Sequence, residues 1–344
     1  MRSQLQNLYT GYFALVMGTE IVSIAMLLYG HIIVSKLLWW VGCCCYLGLW
    51  LAYGVRLLMW PRRMWADLSN PGTAFGFFTI VAASNVLAVR FLFGHRVLWA
   101  IVLGCVGLGC WAVLFYAILT ILILGPAIRL SSVNGGWLIA IVAEESIATL
   151  AAAMITTIPS WASGLFLVGL TFWAMGVMLY VVFIGLIMDR LLFQRVMSDD
   201  LQPPYWINMG ATAITVLASS RLLLISPPLP ILTTVRPFLE GITIVLWAWG
   251  TWWIPLLIIL GLWKYIRDRD PVVYHPSQWS IVFPLGMYAT ATTTMARIHG
   301  FELLHAIGAF FVWVGFGAWV LVVVLALMQI RAPRGRRHLG AQKP

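Results

Sequence analysis

Ten apolar runs follow one another along this chain, at residues 9–31, 35–59, 73–93, 97–123, 136–158, 161–188, 204–226, 235–264, 275–297 and 300–330. Each is of the roughly 20-residue length that an α-helix needs to cross a hydrocarbon core. In hydrocarbon every backbone N–H and C=O must be bonded within the chain, so runs of this kind predict helices. The expected fold is therefore an all-α integral membrane protein with ten transmembrane helices. One transmembrane domain occupies residues 1–330, and a basic cytoplasmic tail occupies 331–344. With 62% hydrophobic and only 9% charged residues, the chain lacks the polar surface that a water-soluble domain of this length requires. The first run follows Arg2, is too long for the core of a signal peptide and has no small-residue cleavage site, so it is read as a retained helix.

Sidedness follows from the basic residues. A cytoplasmic N-terminus puts fifteen of the 21 Lys and Arg residues on that side, among them Arg56, Arg190, Lys264 and the tail arginines. The other side keeps Lys36, Arg90, Arg96, Arg221, Arg236 and Arg297, so both termini are expected inside. The formal charge of +10 then reports topology and attraction to anionic lipid rather than a nucleic-acid partner. The location implied is a plasma membrane, read as a bacterial inner membrane. Cys43, Cys44, Cys45, Cys105 and Cys110 all fall within spans, which predicts neither a disulfide framework nor a metal cluster.

The odd-numbered runs share a pattern that the even ones lack: an aromatic start, an aliphatic stretch, then small or polar residues. It begins at Tyr12, Phe77, Trp137, Tyr205 and Trp279, starts that lie 65, 60, 68 and 74 residues apart. A repeat of two helices and two loops fits that spacing. Five such hairpins can close into a ring about a pseudo-fivefold central pore, with the odd helices inside and the aliphatic even helices facing lipid. A compact bundle without a pore is the competing reading.

If Phe283 faces the axis, its equivalents Val16, Val81, Ile141 and Met209 form an apolar constriction layer with it. Three residues further along lie Thr19, Ser84, Glu144, Thr212 and Gly286, and four further along lie Glu20, Asn85, Glu145, Ala213 and Met287. Thr19, Ser84, Asn85, Thr212 and Gly286 are the candidate polar pore lining. A hydrophobic constriction beside hydrogen-bond donors is a means of gating by dewetting while solvating an anion.

Glu20, Glu144 and Glu145 sit inside spans, where a charge costs roughly 2.5–3.5 kcal/mol. They are either sites for a proton carried with the anion or structural carboxyls bonded to backbone. Arg90, Arg221 and Arg297, near the outer ends of odd helices, form an outer vestibule that gathers anions or simply snorkel to the interface. His299, Glu302 and His305 have a metal-like spacing, but a lone set does not make a di-metal centre, and no metal or cofactor is expected. No hydrolase or phosphate-cradling motif anchors an enzymatic reading, and paired glutamates acting on a lipid or quinone have slight support.

Three segments carry a resemblance: Val16-Met17-Gly18-Thr19 with Ile21-Val22-Ser23; Pro204-Tyr205-Trp206-Ile207-Asn208-Met209-Gly210-Ala211; and Trp279-Ser280-Ile281-Val282-Phe283-Pro284-Leu285-Gly286-Met287-Tyr288-Ala289. Through them the chain resembles the tellurite-resistance and dicarboxylate transporter family, which includes plant guard-cell slow anion channels and yeast malate and sulfite carriers. The resemblance implies five hairpins about a pseudo-fivefold axis, a pore in every protomer, a homotrimer, and Phe283 as the plug that gates the pore. Glu20 departs from the family pattern, which commonly has glycine there. The function expected is a channel for small anions. The alternative is a proton-coupled carrier or exporter of C4-dicarboxylate, sulfite or tellurite-like oxyanions that uses Glu20 or Glu145. In either case the partners are a small anion and membrane lipid.

Overall fold

Odd and even runs fold into helices of different length because they meet different surroundings. The computed structural model describes residues 2–226, 229–268, 273–298 and 300–331. After the short α1 (Arg2–Gln6), α2 (Ala14–Leu28) pairs with α3 (Ile32–Met59). A surface turn, α4 (Pro61–Leu68), leads to α5 (Thr79–Leu92) and α6 (Val97–Leu124). The remaining pairs are α7 (Ile139–Met154) with α8 (Ala162–Phe193), α9 (Ile207–Leu223) with α10 (Pro230–Asp268), and α11 (Trp279–Met295) with α12 (Leu304–Arg331). Among the described residues there is no β-strand.

The first member of each pair is short and buried. On α2, α5, α7, α9 and α11 nearly every side chain is covered, polar ones included. These helices pack in sequence, α2 on α5, α5 on α7, α7 on α9 and α9 on α11, and α11 returns to α2. The second members lie outside and show large apolar side chains: Leu98 and Ile123 on α6, for instance, are 71% and 76% exposed. Such surface is stable only against lipid.

Seven helical stretches are long and apolar enough to cross a membrane alone. The inner helices α2, α9 and α11, with 15, 17 and 17 residues, are shorter than the roughly 20 residues of a lone span. Their neighbours are protein rather than hydrocarbon, so neither full thickness nor a continuous apolar run is demanded of them.

The outer helices bury one stripe each, and the stripe has a seven-residue repeat. On α8 it passes through Phe166, Trp173, Tyr180 and Ile187, and on α10 through Leu232, Leu239, Leu246 and Trp253. This is the periodicity of helices that wrap gently round a partner. At the far ends of three outer helices a basic side chain grips the segment that leads into the inner helix of its own pair. Arg56 Nε donates to the Gln6 carbonyl (3.2 Å), Arg190 Nη1 to the Val133 carbonyl, and Lys264 Nζ to the Leu201 carbonyl (3.2 Å). Arg56 and Arg190 are also paired with Asp67 (2.5 Å) and Asp200 (2.8 Å), which tie each hairpin to the next. The expected basic tail beyond Arg331, Arg269 and His299 lie outside the described residues.

Candidate functional site

Two cavities lie along the five inner helices, one lined by the segments that enter them and one by the helices themselves. The larger, about 440 Å³, lies where those helices begin. Thr10 before α2, Gly76 before α5, Trp137 before α7, Tyr205 before α9 and His275 before α11 all line it. The positive ends of five helix dipoles, each worth about half a charge, therefore converge on one space. The second cavity, about 10 Å³, holds roughly one water-sized sphere. Its wall takes Ile21 and Ile24 from α2, Asn85, Val86 and Val89 from α5, Ser146 and Thr149 from α7, Ile214, Leu217 and Arg221 from α9, and Met287 and Thr290 from α11.

The expected constriction residues lie between these two spaces along every helix. Val16 falls between Thr10 and Ile21, Val81 between Gly76 and Asn85, Ile141 between Trp137 and Ser146, Met209 between Tyr205 and Ile214, and Phe283 between His275 and Met287. All five are fully buried. Pro284 interrupts α11 beside Phe283, which leaves the helix without one backbone hydrogen bond. Two glycines let the neighbours close on that point: a Cβ on Gly18 would lie 3.4 Å from the Phe283 nitrogen, and one on Gly210 would lie 2.8 Å from Pro284 Cγ.

The expected polar lining is divided. Thr19 accepts from Trp319 Nε1 of α12 at 2.9 Å, Ser84 bonds Tyr46 of α3 at 2.8 Å, and Thr212 bonds the Met209 carbonyl and lies against Gly250 of α10. Gly286 meets Gly315 of α12. These four positions are engaged with the outer helices; Asn85 lies against Gly107 of α6 too, but also reaches the small cavity and donates to Ser146 Oγ at 2.9 Å.

Glu20 and Glu145 also point outward, into gaps left by Gly42 of α3 and Gly176 of α8. Glu144 lies beside Trp111 of α6. All three are fully buried; Trp111 and Thr215 stand near Glu144 and Glu145 without reaching good hydrogen-bond geometry, and among the described residues Glu20 has no such neighbour. Arg90 joins α5 to its neighbours through Ser23 (2.9 Å) and Ser35 (3.1 Å), with its guanidinium 5.5 Å from the Trp39 ring centre. Arg221 lines the small cavity, 5.9 Å from the Phe93 ring centre, with its Nε unpartnered. Exposed Arg297 lies within electrostatic reach of Arg221. Arg221 and Arg297 are thus neighbours, and Arg90 is held by Ser23 and Ser35. Among the described residues no cluster of His, Cys, Asp or Glu suits a metal ion, and the five cysteines are free thiols.

The glycine gaps repeat. Gly42, Gly107, Gly176, Gly250 and Gly315, one on each outer helix, face Glu20, Asn85, Glu145, Thr212 and Gly286. A glycine every 65–74 residues in the even runs is the sequence signal for this contact, easily hidden among the aliphatic and aromatic residues around it.

A comparison with protein families matches residues 7–327 to the SLAC1 family, described as voltage-dependent anion channels. The chain belongs to the SLAC1 family. It is accordingly a multi-pass membrane channel or transporter rather than an enzyme. Relatives include an uncharacterized transporter of Methanocaldococcus jannaschii, 25% identical over 96% of this chain and 97% of its own length. An uncharacterized membrane protein of Mycobacterium tuberculosis is 38% identical over 46% of this chain and 80% of its own. A sulfite efflux pump of Arthroderma otae is 28% identical over 25% of this chain and 21% of its own.

Proposed function

We propose that each protomer passes small anions along the axis of ten helices, arranged as five hairpins about a pseudo-fivefold pore, and that Phe283 is the gate. The observation that supports this reading is one fully buried apolar layer that lies, along each inner helix, between a cavity lined by the segments entering the five helices and a cavity lined by the helices themselves. Val16, Val81, Ile141 and Met209 narrow the path with Phe283. On one side the anion meets converging helix N-termini, and on the other Asn85, Ser146, Thr149, Thr290 and Arg221. Parting of the apolar layer admits water and ion together. Residues 1–330 act as one transmembrane domain, and the homotrimer implied by the family resemblance gives three separate pores.

The substrate class is a small inorganic anion, with C4-dicarboxylate, sulfite and tellurite-like oxyanions as the competing cargo. Proton coupling through Glu20 or Glu145 has less support, because both side chains turn away from the cavities. Flux through purified protein in liposomes, with chloride, nitrate, malate and sulfite offered in turn, tests the reading. An imposed pH gradient leaves the rate unchanged if the path is a channel and accelerates uptake if protons are coupled. Arg221→Gln removes the cation on the cavity wall and lowers anion flux about tenfold, by analogy with the local concentration that a charged funnel provides. Equal flux in this variant contradicts the role given to Arg221.

A further inference from the structure

We propose that the start of α9 carries an anion-binding station, made by the hydroxyl of Tyr205 and the side-chain amide of Asn208, at which an anion entering the larger cavity is partly stripped of water. The proposal rests on the anion-conduit reading and adds a site to it. Tyr205 lines the cavity of about 440 Å³ and is only 3% exposed, yet its hydroxyl has no hydrogen-bond partner. One helical turn further into the protein, Asn208 is 0% exposed, and neither its amide nitrogen nor its oxygen is bonded. Residues three apart share a helix face, so Asn208 lies one turn beyond Tyr205 on the same side of the chain. A buried polar group without a partner calls for one, and at a cavity wall that partner can be a solute entering the cavity.

The sign of that ligand follows from the surroundings. The cavity collects the N-terminal ends of five helices. Among the described residues its one lining carboxylate, Asp200, is already bonded by Arg190 at 2.8 Å and by the Met197 N–H at 2.9 Å. A neutral tyrosine hydroxyl and an amide N–H₂ donate hydrogen bonds without charge, so they hold a passing anion weakly enough to release it.

The test is to soak crystals of the full chain in bromide, map the anomalous signal, and measure bromide flux in liposomes. A bromide peak is expected within hydrogen-bond distance of Tyr205 Oη. Tyr205→Phe should abolish it and raise the half-saturating bromide concentration about threefold to tenfold, and Asn208→Ala, a second variant, should move both readouts the same way. A peak that survives Tyr205→Phe, or bromide bound only near Arg221, overturns the proposal. Flux without a peak at Tyr205 removes this station and leaves the conduit standing, whereas a peak without flux supports the station and removes the conduit.

Discussion

Phe283→Ala should raise anion flux by about two orders of magnitude over the unaltered protein. The residue is fully buried, on a helix interrupted by Pro284, at the level where the two cavities are separated. If its ring is the main obstacle, deleting it leaves a gap lined by Val16, Val81, Ile141 and Met209, wide enough for water. An opening that lowers the barrier by about 3 kcal/mol speeds passage roughly 100-fold. The same deletion costs stability, about 3–5 kcal/mol for a buried phenylalanine in a packed core. The measurement is therefore flux per folded protomer, from liposome recordings normalised to protein that elutes as a single species. A Phe283→Leu variant, which keeps most of the bulk, should stay close to the unaltered rate.

The second large effect concerns the wall of the larger cavity. Gly135 lies where the segment before α7 crosses the segment before α9: a Cβ placed on it would stand 2.6 Å from both the Pro204 carbonyl carbon and Tyr205 Cα. Both are backbone atoms, so no rotamer change relieves the clash. Gly135→Ala must push the two segments apart, at a cost of about 3 kcal/mol or more, and it displaces Tyr205. Thermal unfolding in detergent should show a marked loss of stability, and size-exclusion chromatography a larger aggregated fraction. Gly109→Ala is the control. Nothing lies within 4 Å of a Cβ built there, so its stability should stay within about 0.5 kcal/mol of the original.

Much of the architecture was legible because membrane folding leaves few choices. The lengths of the apolar runs predicted helices, and the recurrence of aromatic starts from Tyr12 to Trp279 separated the helices that became buried from those that became exposed. The direction of single side chains was not legible. The i+3 and i+4 positions were placed on the axis by reference to Phe283, yet Thr19, Ser84, Glu20 and Glu145 face outer helices. A rotation of one residue is about 100° on a helix, and the pattern of polar residues alone does not set that angle because an outer helix can supply partners as well as a pore can. Tyr46 and Trp319 supply them here, and Gly42 and Gly176 make room. Arg90 was unreadable for a related reason: its partners Ser23 and Ser35 belong to other helices, 67 and 55 residues away in sequence.

Accessibility of a single thiol in the small cavity tests the central claim most directly. With the five native cysteines replaced by serine, Thr149→Cys places a sulfhydryl on the cavity wall, beyond the apolar layer as seen from the helix N-termini. The anionic reagent sulfonatoethyl methanethiosulfonate added from that side should leave the thiol untouched while Phe283 is present. In the Phe283→Ala background it should label the thiol, and flux should fall as labelling proceeds. A thiol that stays unlabelled in the Phe283→Ala protein, or one that is fully labelled while flux continues unchanged, would contradict a conduit running through these five helices.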